Sequence, residues 1–399
     1  MITYIELEEL KKSWKGKVCI FGAGELGKHI AYDMLSACGF SIDFYCDNYI
    51  PEGTLIRDGI AIRNNQYLYD NKDSVLVFVC LSVKFRETVL MQLKEHKIGH
   101  TVTIDMNCIA SVLDSIDKAD DKVKKRYCAI YDDRTFLSDK FKRMVGYDLN
   151  IENPKTFNEK IQWLKLFNHQ DIYTVMVDKF AVKRYVSEQI GHKYVIPTLG
   201  VWQRFDDIDF ERLPNQFVLK CNHDSGSTVF VENKDTMDIA KTREKLTSAL
   251  NINYYWKGRE WPYKNVPRKI IAERYIAVPE DMVDYKFLCF RGNPEMLFTC
   301  TERFEGNGLK VTFFDLNWNR LNFERHYPSS KKEIARPQNL ELMIELSGKL
   351  SKGIPFVRVD FYEIKGTVYF GELTFFPGGG MEEFRPVEWD YILGEKIVL

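Results

Sequence analysis

Arg358 and Asp360 fall on one apolar stretch, FVRVDFY, and Glu372 and Thr374 fall on the next, TVYFGELTF, with Pro377-Gly-Gly-Gly380 directly after. Successive side chains of a strand point to opposite faces, so Arg358 shares a face with Asp360 and Glu372 shares one with Thr374. Carboxylates brought together from neighbouring strands suit a hard cation such as Mg²⁺, which completes its shell with water and phosphate oxygens. The chemistry this arrangement points to is magnesium held beside a triphosphate.

The hairpin must position these groups, and its register decides the outcome, because a one-residue slip turns Glu372 away from Asp360. A three-residue loop Ile364, Lys365, Gly366, with Gly366 at positive φ, pairs Glu363 with Thr367. Asp360 then faces Phe370, and Glu372 lies diagonally from it at roughly 7–8 Å between Cα atoms. By the same reasoning a two-residue loop breaks the site. A surface hairpin with an ordinary Arg358–Asp360 ion pair is the plain alternative.

Upstream, the strand FVLK ends in Lys220 and runs into Cys221-Asn-His-Asp-Ser225-Gly226-Ser227-Thr228 before another strand, TVFV. Small polar residues between two strands can bend their amides over phosphate oxygens while Lys220 adds a point charge. A hairpin lysine beside a serine turn is also a common surface feature. RKIIAERYI places Glu273 at the end of an apolar strand, where an adenine amino group can be held together with the backbone of Tyr275 and Ile276. Asp178-Lys179 opens a helical run, and Asp284-Tyr-Lys286 begins the strand KFLCF. His223, in the serine loop, reads as a hydrogen-bonding support.

Residues 254–265, YYWKGREWPYKN, gather Trp256, Arg259, Trp261 and Tyr263. Aromatic faces stack on sugar rings and cations pair with a uronic acid or phosphate, which makes these four candidates for substrate contact. The same residues equally plug a helix against a core.

The first part of the chain reads differently. Strand KVCIF, then Gly22-Ala-Gly24-Glu-Leu-Gly27, a helix through Leu35, a second strand IDFYC and Asp47 form the opening of a dinucleotide fold in its expected context. SVLVFVCL and KFRETVLMQLKEHKIG continue the strand–helix alternation to about residue 110. The glycines suit a pyrophosphate at a helix N-terminus, and Asp47 a ribose hydroxyl, so a nucleotide-sugar or dinucleotide is the candidate ligand. No Tyr-x-x-x-Lys occurs in the first 115 residues to donate a proton, and an empty scaffold fits equally well.

At 399 residues with 45% apolar content, the chain is long enough for two to three domains. We expect a Rossmann-like domain over 1–113, a charged linker over 114–126 (DSIDKADDKVKKR) and a second domain over 127–399. The net charge of −1 argues against a nucleic-acid partner. No run reaches the roughly 18 uncharged apolar residues of a membrane span, and the acidic N-terminus is unlike a leader, so a cytoplasmic location is expected. Nine scattered cysteines without a Cys-x-x-Cys pair read as reduced core thiols. Thr156-Phe-Asn-Glu159 is a capping box that opens the helix FNEKIQWLKLF.

The order of these parts resembles the ATP-grasp superfamily. NPKTFNEKIQWLKLF, DKFAVKRYV, LPNQFVLKCNHDSGS, YYWKGREWPYKN, DYKFLCF and FVRVDFY followed by GELTFFPGGG are together similar to its TupA-like branch, over about residues 125–399. The resemblance implies an α/β chain with a Rossmann-like parallel-sheet domain followed by an α+β ATP-grasp domain. It implies ATP and Mg²⁺ as cofactors, with Lys179, Lys220, Lys286 and the serine loop on the phosphates, Glu273 at the adenine, and Asp284 beside Lys286. Asp360, Glu372 and Thr374 take the metal positions, although threonine stands where the superfamily usually has asparagine. Arg303 and Arg358 steady the acceptor carboxylate or the developing charge, and Gly378 and Gly379 offer amides to an oxyanion. The implied activity is amide ligation of a carboxylate and an amine through an acyl phosphate in surface-polysaccharide synthesis. A kinase acting on a sugar hydroxyl, and a non-catalytic nucleotide-sugar scaffold, are the alternatives.

Overall fold

The computed structural model describes residues 2–117, 132–277, 283–302 and 308–399. The chain divides into two compact units, Met1–Phe136 and Leu137–Leu399. Of the charged stretch, residues 118–126 lie outside the described residues, as does Arg303; residues 114–117 end a helix, Met106–Asp117.

In the first unit, β1 (Lys17–Phe21), β2 (Phe44–Cys46), β3 (Val75–Val79) and β4 (Thr101–Thr103) form a parallel sheet in the order β2-β1-β3-β4. Every residue of β3 is buried, as expected for a strand covered on both faces. Gly22 has φ +106°, and a Cβ on Gly27 would sit 1.8 Å from the Gly22 carbonyl oxygen. Only glycine lets the following segment pack so closely on the turn. That segment starts as a π-helical turn, Leu26–Ala31, before α1 (Tyr32–Ala37). Asp47 points into the loop: Oδ2 accepts from Ala23 N at 3.0 Å and Oδ1 from Tyr49 N at 2.9 Å.

In the second unit, after the helix Asp133–Val145 that spans its start, α2 (Phe157–Phe167) has a capping box complete in both directions. Phe157, Ile161 and Leu164 enter the core, and Asn158, Gln162 and Lys165 are buried beside them. After the short helix Asp171–Val177 comes α3 (Val182–Ile190), whose approach is fixed by buried Asp178 accepting from Phe180 N and Ala181 N. A first antiparallel sheet contains β5 (Thr198–Trp202), β6 (Phe217–Cys221), β7 (Val229–Val231) and β8 (Ile270–Arg274), in the order β5-β8-β6-β7. A second has β9 (Asp284–Phe290), β10 (Asn293–Thr301), β11 (Lys310–Phe314), β13 (Val357–Ile364) and β14 (Thr367–Thr374), in the order β11-β10-β9-β13-β14. The short ribbon β12 (Glu324–Arg325) with β15 (Phe384–Arg385) completes the unit. The eight described cysteines are all free thiols, seven of them buried.

The β13–β14 hairpin departs from the expected register and still keeps the site. Its loop has two residues, Lys365 (φ +49°) and Gly366 (φ +75°), with Ile364 opposite Thr367, not three residues with Glu363 opposite Thr367. Continued unbroken, that register would place Gly371 opposite Asp360 and send Glu372 to the far face. A bulge intervenes: Phe361 pairs with Phe370, but Val359 pairs with Leu373 and Arg358 with Thr374. Gly371 and Glu372 therefore share the place opposite Asp360, which turns Glu372 and Thr374 back to its face. A Cβ on Gly371 would lie 3.2 Å from the Asp360 carbonyl oxygen and from the Tyr362 ring, tight quarters for any larger residue.

Candidate functional site

One cleft of the second unit gathers most of the candidate residues. Its cavity, about 430 Å³, is bordered by Lys179, Lys220, Ser225, Gly226, Thr228, Glu273, Ile276, Asp284, Lys286 and Glu372, among others.

At one end, Glu273 on β8 binds two lysines. Lys220 Nζ, from the adjacent strand β6, and Lys183 Nζ, from α3, each lie 2.6 Å from one of its carboxylate oxygens. Burial opposes the Glu273 charge, yet Lys220 and Lys183 outweigh it and hold its pKa below the usual carboxylate range. Lys183 moves the other way: burial lowers its pKa despite Glu273. The asymmetry is physical, since the carboxylate enjoys two cations while each lysine has a share of one anion. Lys183 also donates to Ile196 O at 2.9 Å and to Thr198 Oγ1 at 2.8 Å.

The serine loop is built partly for itself. Cys221 N donates to Ser227 Oγ at 2.8 Å, and buried Ser227 donates to Asp224 Oδ1 at 2.6 Å. Lys179 Nζ donates to Asp224 O at 2.5 Å. Ser227 thus braces the turn, leaving Ser225, Gly226 and Thr228 facing the cleft. His223 is buried behind it with Nε2 against Ile252 O at 3.0 Å. Tyr275 lies outside the cleft lining, its ring edge-on to Phe230 and its hydroxyl 3.3 Å from Glu232 Oε1.

At the other end, cross-strand pairing puts Lys286, Asp360 and, through the bulge, Glu372 in one row. Arg358 clasps Asp360 with Nε–Oδ1 and Nη2–Oδ2 both at 2.7 Å, and the same Nη2 reaches Glu372 Oε1 at 2.9 Å. Lys286 Nζ is 2.5 Å from Asp360 Oδ2 and 3.6 Å from Asp284 Oδ1. Burial opposes the Lys286 charge, but Asp360 outweighs it and raises its pKa. Burial likewise opposes ionisation of Glu372; Lys179, Arg358 and Lys286 overcome it and bring its pKa down to about 2.

These carboxylates fit a magnesium ion. Asp360 is only 1% exposed while the Glu372 side chain is 38% exposed and meets the cleft. Each carboxylate oxygen accepts up to two bonds. Asp360 Oδ1 takes one, from Arg358, and Glu372 Oε1 takes Arg358 and Thr374 Oγ1 (3.2 Å), which leaves Glu372 Oε2 toward the cleft. Thr374 is spent on Glu372. Among the described residues no cluster of three or more His, Cys, Asp or Glu side chains could hold a metal ion; a magnesium ion at these two carboxylates would need phosphate and water oxygens to complete its shell.

Pro377–Gly380 turns left-handed over Gly378, Gly379 and Gly380, with φ of 61°, 64° and 62°. A Cβ on Gly378 would fall 2.1 Å from Glu382 Cδ, and one on Gly380 2.4 Å from Ile161 Cγ2. α2 pins the turn: Gln162 Nε2 donates to Gly379 O at 2.9 Å and Gly380 O at 2.7 Å, and buried Lys165 Nζ to Gly379 O at 2.8 Å and Gly258 O at 3.1 Å. Burial pulls the Lys165 pKa down to about 7, with Glu260 opposing and Lys140 adding to the fall.

The aromatic segment is mostly packed. Arg259 is 1% exposed and lies over Trp256, guanidinium carbon to ring centroid 4.5 Å, while Trp256 is itself buried. Trp261 stacks on His169 at 4.6 Å, and Tyr263 packs against Tyr254 and the main core. These contacts fill space and give a sugar little surface on Trp256 or Arg259.

Sequence reasoning missed Lys183, Gln162 and Lys165. Lys183 had a signal, a second lysine four residues after Lys179. So did the α2 pair, because Asn158, Gln162 and Lys165 fall at helical spacing on the apolar face, where polar side chains need a buried task.

A family model described as TupA-like ATP-grasp matches residues 159–398, the span that holds every group of this cleft. The chain belongs to that family. Solved structures of low similarity include D-alanine–D-alanine ligase from Bacillus anthracis (13% identity, 92% of this chain and 88% of that one, TM-score 0.31). Another is N5-carboxyaminoimidazole synthase from Aspergillus clavatus with ADP and 5-aminoimidazole ribonucleotide (11%, 90% and 70%, TM-score 0.30). Likeness at that level adds nothing to the assignment of individual residues. No curated protein matches the chain. Among the described residues of this TupA-like ATP-grasp protein, no helix is long and apolar enough to cross a membrane.

Proposed function

We propose that this protein is an ATP-dependent carboxylate–amine ligase working through an acyl phosphate, with a uronic acid or related carboxylate of a surface polysaccharide as acceptor. The observation that carries the reading is Arg358 joining Asp360 and Glu372 beside Lys286 at one end of a cleft whose other end is Lys220, Lys183 and Glu273.

In this reading Glu273, braced by Lys183, holds the adenine end, and Lys179, Lys220, Lys286 and the amides of Ser225, Gly226 and Thr228 neutralise and align the phosphates. Phosphoryl transfer asks mainly for charge neutralisation and alignment of the reacting atoms. Asp360 and Glu372 would hold magnesium, which would supply charge neutralisation to the phosphates. An acceptor carboxylate oxygen attacks the γ-phosphorus as the bond to the β–γ bridging oxygen breaks, yielding ADP and an acyl phosphate. The amine then attacks the acyl carbon, loses a proton, and expels phosphate. Arg358 and the Gly378 amide face the charge that develops on the acyl oxygen, whereas the Gly379 amide, expected to join them, is spent on Phe376 O at 2.8 Å. In the first unit Gly22, Gly24 and Gly27 offer a nucleotide-sugar or dinucleotide its phosphate turn, with Asp47 bracing that turn rather than a ribose.

The test is a coupled assay over sugar acids and amines. ADP and phosphate released only when both acceptor and amine are present supports the ligase. ADP release with the phosphoryl group retained on product and no need for amine makes it a kinase, and AMP release excludes both.

A further inference from the structure

Arg325 borders none of the cleft described above, yet it lies over the same face of the five-stranded sheet as Arg358. It sits on β12, pairing with Phe384 of β15, the strand that follows the glycine turn. Its guanidinium carbon sits 5.3 Å from the Phe298 ring centroid and 5.9 Å from that of Phe313. The Arg358 guanidinium lies 5.8 Å from the same Phe298 ring. Cross-strand pairing sets Phe313, Phe298, Lys286 and Asp360 in one row. Two like charges therefore share one aromatic ring next to the carboxylate pair.

Such crowding calls for anions. Arg358 has two, Asp360 and Glu372. Arg325, 7% exposed at its side chain, has Glu382, whose Oε2 is 2.8 Å from Nε. Glu382 meets Nε off the line of its N–H and so makes a poor hydrogen bond at most, and Nη1 is buried without a hydrogen-bond partner among the described residues. A guanidinium presents five N–H donors in a planar fork that matches a carboxylate bidentately, and leaving them unmade in a desolvated place is costly. Burial weakens the Arg325 charge, Glu382 supports it and Arg358 opposes it. Glu382 also locates the open valence, because its carboxyl carbon lies against Gly378, the first left-handed residue of the turn.

We propose that Arg325 is an acceptor-binding residue: together with Arg358 it receives the carboxylate of an anionic acceptor between the glycine turn and the Asp360–Glu372 pair. The proposal rests on the ligase reading above and adds the group that holds the acid. One carboxylate oxygen stays on the Arg325 fork while the other is directed at the γ-phosphorus. The competing role is a plain cap, a cation lying on Phe298 and Phe313.

The experiment is a calorimetric titration of D-glucuronate into the full chain with ADP and Mg²⁺, comparing the parent with Arg325→Lys and Arg325→Met. Methionine keeps an apolar stem over the two rings, and lysine keeps the charge without the fork. We expect D-glucuronate affinity to fall at least tenfold in both, with ADP affinity unchanged. Should the methionine variant fail to fold, the lysine variant decides. Equal D-glucuronate affinity in parent and folded variants overturns the proposal, as does a parent that binds ADP but no D-glucuronate. Binding of glucose 6-phosphate in place of D-glucuronate also overturns it, because the occupant is then a phosphate. Failure of the parent to bind ADP instead removes the nucleotide-cleft reading, and this proposal with it.

Discussion

Lys183 and Lys220 grip the two oxygens of one carboxylate, Glu273, at 2.6 Å each, one from a helix and the other from a neighbouring strand. The three groups fix one another, so the loss of either cation misplaces its partner.

Lys183→Met leaves Glu273 with Lys220 alone. The lysine is buried and already disfavoured in its charged form, so its removal costs the fold little. We expect the KM for ATP to rise about tenfold, a loss of roughly 1.4 kcal/mol of ground-state binding, with kcat for the coupled reaction nearly unchanged. Steady-state kinetics with ATP varied check this.

Asp360 and Glu372 should separate stability from chemistry. Asp360→Ala strips buried Lys286 and Arg358 of their shared anion, and a loss of about 3 kcal/mol is expected, the low end for a broken buried pair because Asp284 and Glu372 remain nearby. Glu372→Gln, at the cleft surface, should lower the melting temperature at neutral pH much less than Asp360→Ala does, while abolishing magnesium-dependent ADP release. Thermal melts beside the coupled assay distinguish the two.

Glu372 also predicts a pH effect on the ligand-free protein. Its pKa falls from 4.5 to about 2 on folding, so it contributes stability above pH 4.5 that is lost as pH drops from 4.5 toward 2. In that window the unfolded chain binds the proton first. Glu372→Gln lacks this contribution, and its stability should decline less steeply than the parent's across the same window. Urea melts at stepped acid pH measure the difference; parallel curves would count against the charge arrangement.

Gly380→Ala forces a Cβ toward Ile161 Cγ2 at a left-handed backbone position. The turn must shift off its α2 anchors while the cleft is left alone. We expect kcat to drop at least tenfold with ADP affinity retained, read by single-turnover kinetics and calorimetry.

Much of this site was legible in the residues themselves. Strand alternation placed Arg358 with Asp360, the serine loop declared itself by composition, and Glu273 by its place at a strand end. The bulge escaped because a hairpin written as residues shows the loop's glycine but not which later glycine absorbs the register; Gly371 looked like any strand glycine. Lys183, Gln162 and Arg325 escaped for another reason. Spacing could mark Lys183 and Gln162 as polar groups with a buried task, but the partner of each lies far away in the chain, and periodicity speaks only of neighbours. In the first unit the glycine spacing foretold the tight turn, whereas the inward aim of Asp47 depended on a hydrogen bond that spacing does not encode.

The anchoring of the glycine turn bears on the order in which the molecule matures. Gln162 and Lys165 reach carbonyls 217 and 214 residues further along the chain, whereas the cleft closes through partners such as Lys286 and Asp360, 74 residues apart. Long-range contacts cost the most loop-closure entropy and form late. The pairing of Lys286 with Asp360 thus forms before the turn gains its anchors, so on partial opening hydrogen exchange should reach the turn earlier than the strand that bears Lys286.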